Sequence, residues 1–205
     1  MSEQKPIELG PPATAADILP SNETDPNDNP RVFFASTNEF GAGRVHGIWM
    51  EAAQEVSALE QGIESMLRAA SDPEADGYCI YRSENFGDLP IAEAKGLETV
   101  VRIARGLVAG GPAFQAWAKV VGLEQASAEE FRAHHLGSWR TPAQFGGEFA
   151  RELGLGHCLE TVPPTLAPYI RFDCRGFVAD LIARGEIITE HDDEGVHIFL
   201  TPGTA

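Results

Sequence analysis

Apolar positions along the chain switch between a period of two and a period near 3.6, and the switches divide it into elements. Arg31-Val32-Phe33-Phe34-Ala35-Ser36 is β-branched and aromatic and predicts a strand, with a glycine-containing loop over residues 37–43. From about Glu51 to Ala70 the spacing predicts a helix. Ala52, Val56, Leu59, Ile63, Met66 and Leu67 share its apolar face, and Glu51, Glu55, Glu60 and Glu64 line its flanks. Tyr78–Tyr81 predicts a second short strand, followed by a Gly/Pro-punctuated stretch over residues 86–90.

From Leu97 to about Gly137 the signals are helical. Val100, Val101, Ala104, Leu107 and Val108 recur on one face, Gly110-Gly111-Pro112 breaks the helix, and Phe114, Trp117, Val120 and Val121 form a second face. Ser127 and Thr141 each open a capping box, the second with Pro142 at the first helical position and Phe145, Phe149 and Leu153 on the buried side. Asp173 caps a last helix carrying Phe177, Val178, Leu181 and Ile182, which ends at Gly185. A hairpin around Asp192-Asp193-Glu194-Gly195 closes the chain. The fold class expected is α+β: an acidic tail over residues 1–30, a small mixed unit over 31–98, a helical middle over 99–140 and an αβ part over 141–205.

Charge narrows the chemistry. Against 15 Lys and Arg stand 31 Asp and Glu, a net charge of −16 over 205 residues, which argues against direct binding to a nucleic-acid backbone and favours a basic partner. Residues 1–30 hold six acids, one lysine, six prolines and no aromatic, a composition expected to stay disordered. Acid is concentrated at both ends of the remainder: residues 31–98 carry a net −7 and residues 148–205 a net −6, while residues 99–147 carry +2. The N-terminus lacks a secretory pattern and no segment nears the ~20 apolar residues of a bilayer span, so a cytoplasmic protein without membrane contact is expected. Cys79, Cys158 and Cys174 have no pairing motif, in keeping with a reducing compartment.

Catalytic and metal signals are weak. The six histidines form no pair three to five residues apart and no H-E-x-x-H, so no metal or cofactor is expected. Gly41-Ala42-Gly43 starts a dinucleotide fingerprint, but His46 stands where its last glycine belongs. Ser36 has no nucleophile elbow, and Cys79 lies in an apolar strand. A small hydrolase built on Cys79 or a His/Asp group finds no constellation in the sequence, so an enzyme is not expected.

The run Ala35-Ser36 through Gly41-Ala42-Gly43-Arg44-Val45-His46-Gly47-Ile48-Trp49 resembles the N-terminal signature of the antirestriction protein family ArdA. Residues 78–86, 167–170, 177–181 and 195–199 support the resemblance, which spans roughly residues 31–200. It implies an elongated three-part α+β protein, a homodimer through its C-terminal part, whose carboxylates imitate the phosphates of bent B-form DNA. Such a protein occupies the DNA groove of type I restriction-modification enzymes and breaks no bond. The carboxylates to which it would assign this role are Glu51, Glu55, Glu60, Glu64, Asp72, Glu74, Asp76, Glu84, Asp88, Glu93 and Glu98, with Glu148, Glu152, Glu160, Asp180 and Glu186 toward the C-terminus. One departure stands out: Ser138, Arg140, Pro142, Ala143, Gln144, Gly147 and Arg151 occupy positions where the family commonly carries acids. The alternative is an interaction protein of the same fold that binds another basic, DNA-processing partner without antirestriction activity.

Overall fold

The computed structural model describes residues 28–38, 45–70 and 77–203. Most of the expected acidic tail therefore lies outside the described residues. The fold is α+β, with six α-helices and two small antiparallel sheets among the described residues. It forms two compact units that divide between Arg132 and Ala133.

In the first unit, β1 (Arg31–Ser36) is the middle strand of a sheet ordered β2-β1-β3, with β2 at Gly47–Glu51 and β3 at Tyr78–Glu84. The period-two pattern of β1 buries Val32 and Phe34 completely. Helix α1 (Val56–Arg68) lies against β1 and β2 and buries Leu59, Ile63 and Met66, the apolar stripe expected from sequence. The helix begins later than its periodicity suggests. Glu51 ends β2 opposite Arg31, and Glu55 is the N-cap residue of α1, so only Glu60 and Glu64 of the four glutamates are helical. The physical reason is pairing: β1 has two edges to satisfy, and residues 47–51 close one of them.

The signature residues serve this construction. His46 Nε2–H donates to the carbonyl of Met66 at 2.8 Å, at the end of α1 where orphan carbonyls need donors. Gly47 passes so close to β1 that a Cβ would lie 2.3 Å from the Phe34 carbonyl oxygen. Trp49 packs on Phe33 at 5.4 Å, with the Arg31 guanidinium 5.4 Å above its ring.

Helix α2 (Leu97–Val121) breaks at Gly111, φ 53°, beside Pro112, where the sequence placed a break. Its second segment returns Phe114 onto Gly106, whose missing Cβ leaves room for the buried ring. Helix α3 (Ala128–His134) is opened by Ser127, whose hydroxyl accepts from the Glu130 amide at 3.1 Å.

The second unit corrects the expected helical run to Gly137, because His135–Trp139 is a strand, β4. It pairs with β6 (Val196–Leu200) in a sheet ordered β4-β6-β5, with β5 at Ile187–His191. Helix α4 (Pro142–Glu152) starts at Thr141, whose hydroxyl accepts from the Gln144 amide at 3.2 Å. A short helix, α5 (Leu155–Glu160), follows Gly154 without a matching sequence signal. Asp173 caps α6 (Cys174–Ala183) by accepting from the Gly176 amide at 2.8 Å. Phe145, Val178, Leu181, Ile187, Val196 and Ile198 form the core of this unit. Phe145 stacks on Phe149 at 5.2 Å and meets Trp139 at 5.8 Å, joining α4 to β4.

Candidate functional site

The acid excess makes the exposed carboxylates the first candidates. Asp72, Glu74 and Asp76 lie outside the described residues. In the first unit Glu51, Glu55, Glu60, Glu64, Glu84, Asp88, Glu93 and Glu98 are all exposed. In the second, Glu152, Glu160 and Asp180 are exposed, whereas Glu148 and Glu186 are partly buried.

Exposure is not the same as available charge. Arg105 pairs with Glu55 at 2.5 Å, Arg68 with Glu64 at 2.6 Å, and Lys119 with Asp88 at 2.8 Å. Arg31 reaches Glu84 at 4.0 Å, Arg184 pairs with Glu186 at 2.5 Å, and His157 lies 3.5 Å from Glu160. The Lys119 ammonium beside Asp88, aided by Gln115, holds that carboxyl below the usual carboxylate range. Glu51, Glu60, Glu93 and Glu98 in the first unit and Glu148, Glu152 and Asp180 in the second make no ion pair among the described residues.

Two of these act on one group. The Tyr78 phenol, on β3, titrates above its ordinary value first because it is partly buried, and then because Glu98 of α2 and Glu60 of α1 surround it with negative charge. The fold thus brings together carboxylates 38 positions apart in sequence.

The second unit holds a cluster that the sequence reading missed. Ser138 and His197 are register partners across β4 and β6, with Oγ 2.7 Å from Nδ1. His197 Nε2–H donates to Asp192 at 2.8 Å, which leaves Nδ1 to accept from the serine hydroxyl. Asp192 also accepts from the amides of Glu194 and Gly195 at 2.9 and 2.8 Å. Burial opposes its charge, but these donors outweigh burial and hold the carboxyl below its usual range. No local motif announces this line because Ser138 and His197 are 59 residues apart and only strand register joins them. Its evident work is to fasten the β5–β6 turn to the edge strand. His135, 6.3 Å from His197 between ring centroids, is driven down to about 4 by burial and then by the His197 charge. Among the described residues no group of three or more His, Cys, Asp or Glu is arranged to hold a metal ion, and no helix is long and apolar enough to cross a membrane.

Two measurements follow from these shifts. Replacing Glu60 and Glu98 by Gln is expected to lower the Tyr78 phenol pKa toward 10, read by phenolate absorbance or NMR; an unchanged titration contradicts the convergence of the two charges. His135 binds a proton near pH 6.5 when unfolded but only near 4 when folded. Its contribution is intact above pH 6.5 and is lost as pH falls to 4, by about 2–3 kcal/mol. Denaturant titrations should show this loss for the native protein and a shallower one for His135→Phe.

A search of curated proteins finds no match. The family model described as "Antirestriction protein (ArdA)" matches residues 32–193, a span that takes in β1 from Val32 onward, the His46–Trp49 signature, all the helices among the described residues and the chain as far as Asp192 and Asp193. The chain therefore belongs to the ArdA family of antirestriction proteins, a family of inhibitors of restriction-modification enzymes and not of enzymes.

Proposed function

We propose that this protein acts in the cytoplasm on a type I restriction-modification enzyme, placing its carboxylates in the basic groove that otherwise takes duplex DNA. The observation that carries the reading is the set of exposed, unpaired acids Glu51, Glu60, Glu93 and Glu98, drawn from four segments of one unit. Mimicry has to be collective. Helix α1 has 13 residues, about 20 Å, over which a duplex carries ~12 charges. Its two glutamates rise ~6 Å, near the ~6.8 Å of two nucleotides on a strand, but Arg68 cancels one of them. Association gains from release of the groove's counterions and from long-range steering, and both weaken with salt.

The second unit supports a homodimer as the acting form. Leu153, Leu159, Leu166, Tyr169, Ile170 and Ile182 are exposed within a 30-residue stretch, and Tyr169 is 83% exposed. A second copy of the chain is the partner the resemblance implies for this part.

A second reading, a partner other than a restriction enzyme, draws support from the ion pairing at Glu55, Glu64, Asp88 and Glu186, which thins the imitation of phosphate.

Plating separates the two readings. Unmodified phage on a restricting strain should plate markedly better when the protein is expressed at verified soluble levels. No improvement overturns the antirestriction reading in favour of the second. Single Glu→Lys changes should cost at most about fivefold, since an exposed charge is worth ~0–1 kcal/mol, whereas Glu51, Glu60, Glu93 and Glu98 reversed together should abolish protection. Sedimentation should give a dimer, and Leu166→Glu with Tyr169→Arg should shift it to monomer; a native monomer rejects the dimer.

A further inference from the structure

The first unit contains a cationic cleft that the charge-mimic reading leaves unused. Its floor is one face of α2, bearing Glu98, Arg102, Arg105 and Ala109; Val56 at the start of α1 walls one side and Arg132 of α3 the other. The cavity is about 480 Å³. Three guanidinium groups therefore line it against the carboxylate of Glu98 and that of Glu55, which pairs with Arg105, leaving a local positive excess on a chain whose net charge is −16.

The arginines are held in place. Arg102 donates to the carbonyl of Leu123 at 3.0 Å and to that of Ala126, and Arg105 donates to the carbonyl of Gln54 at 3.1 Å and to Glu55. A guanidinium has five N–H donors, so such bonds orient it without exhausting it.

We propose that this cleft is the docking site of the chain's own acidic N-terminal segment, residues 1–27. Two observations select that occupant. The segment carries Glu3, Glu8, Asp17, Glu23 and Asp25 against the single Lys5, the charge complement of the cleft. It also enters the fold beside it: the carbonyl of Pro30 accepts from the amide of Ala52 at 2.8 Å, two residues before the carbonyl that Arg105 grips. A tether this short holds the segment at an effective concentration on the order of millimolar, so a weak intrinsic affinity suffices. Docking rests on the cleft alone. One consequence, which does rest on the proposed function, is that carboxylates are laid against the Arg102, Arg105 and Arg132 side of α2 and α3, within the weakly basic middle of the chain.

The test compares backbone amide spectra of the full chain with those of a full-length variant carrying E3Q, E8Q, D17N, E23Q and D25N. Docking predicts shifts at Arg102, Arg105, Ala109 and Arg132, erased in 0.5 M salt and restored when a synthetic peptide of residues 1–27 is added to the variant. In a background of Arg132→Glu, or of Ala109→Glu should the first disturb folding, neutralising the segment should leave the cleft amides unmoved. Superimposable cleft resonances in the two full-length proteins overturn the proposal, as do shifts elsewhere on the surface that survive charge reversal in the cleft. Neither result bears on plating efficiency, so this inference and the antirestriction reading fail separately.

Discussion

The two-sided pairing of β1 is the constraint on which the first unit depends. A short strand with Val32 and Phe34 fully buried cannot leave either row of backbone groups unsatisfied. β2 and β3 close the two edges, and the register they adopt positions the rest. His46 ties β2 to the end of α1, and the sheet in turn sets where Glu60 stands relative to Tyr78. The described part of the most recognisable run, His46–Trp49, is thus scaffold, and exposed charge hangs from it.

That charge is only partly available, because the fold spends cations on it. Arg105 is the clearest case. By gripping Gln54 and Glu55 it secures the start of α1, and in doing so it neutralises a carboxylate that the sequence offers as a phosphate imitation. An exposed pair of this kind contributes little to stability, at most about 1 kcal/mol. Its larger effect is on the surface potential, where each pairing removes one unit from an array already sparser than DNA. Helix α4, with Arg151 and two glutamates, adds little to compensate.

The second unit solves a different problem. Its core is aromatic and aliphatic, but the central strand β6 also buries His197 beside Ser138 and Asp192. A buried imidazole with both nitrogens engaged is a satisfied polar group, so the strand keeps its packing at no cost in unpaired donors. The neighbouring His135 is held neutral well below its ordinary range by burial and then by the His197 charge, which makes this sheet sensitive to acid.

Local patterns in the chain determined the α+β class, the apolar stripe of α1, the break at Gly111-Pro112, the caps at Ser127, Thr141 and Asp173 and the closing hairpin, because each depends on residues within a turn or two. The ArdA signature was equally legible, since it is a contiguous run. Tertiary structure alone decided that residues 47–51 form a strand, which takes Glu51 out of the expected helix, that His135–Trp139 pairs with β6, and that Arg105 reaches Glu55. Those outcomes depend on partners 12 to 64 residues away: a strand's identity follows from the edge it must satisfy, and a surface charge is worth only what its neighbours leave uncancelled.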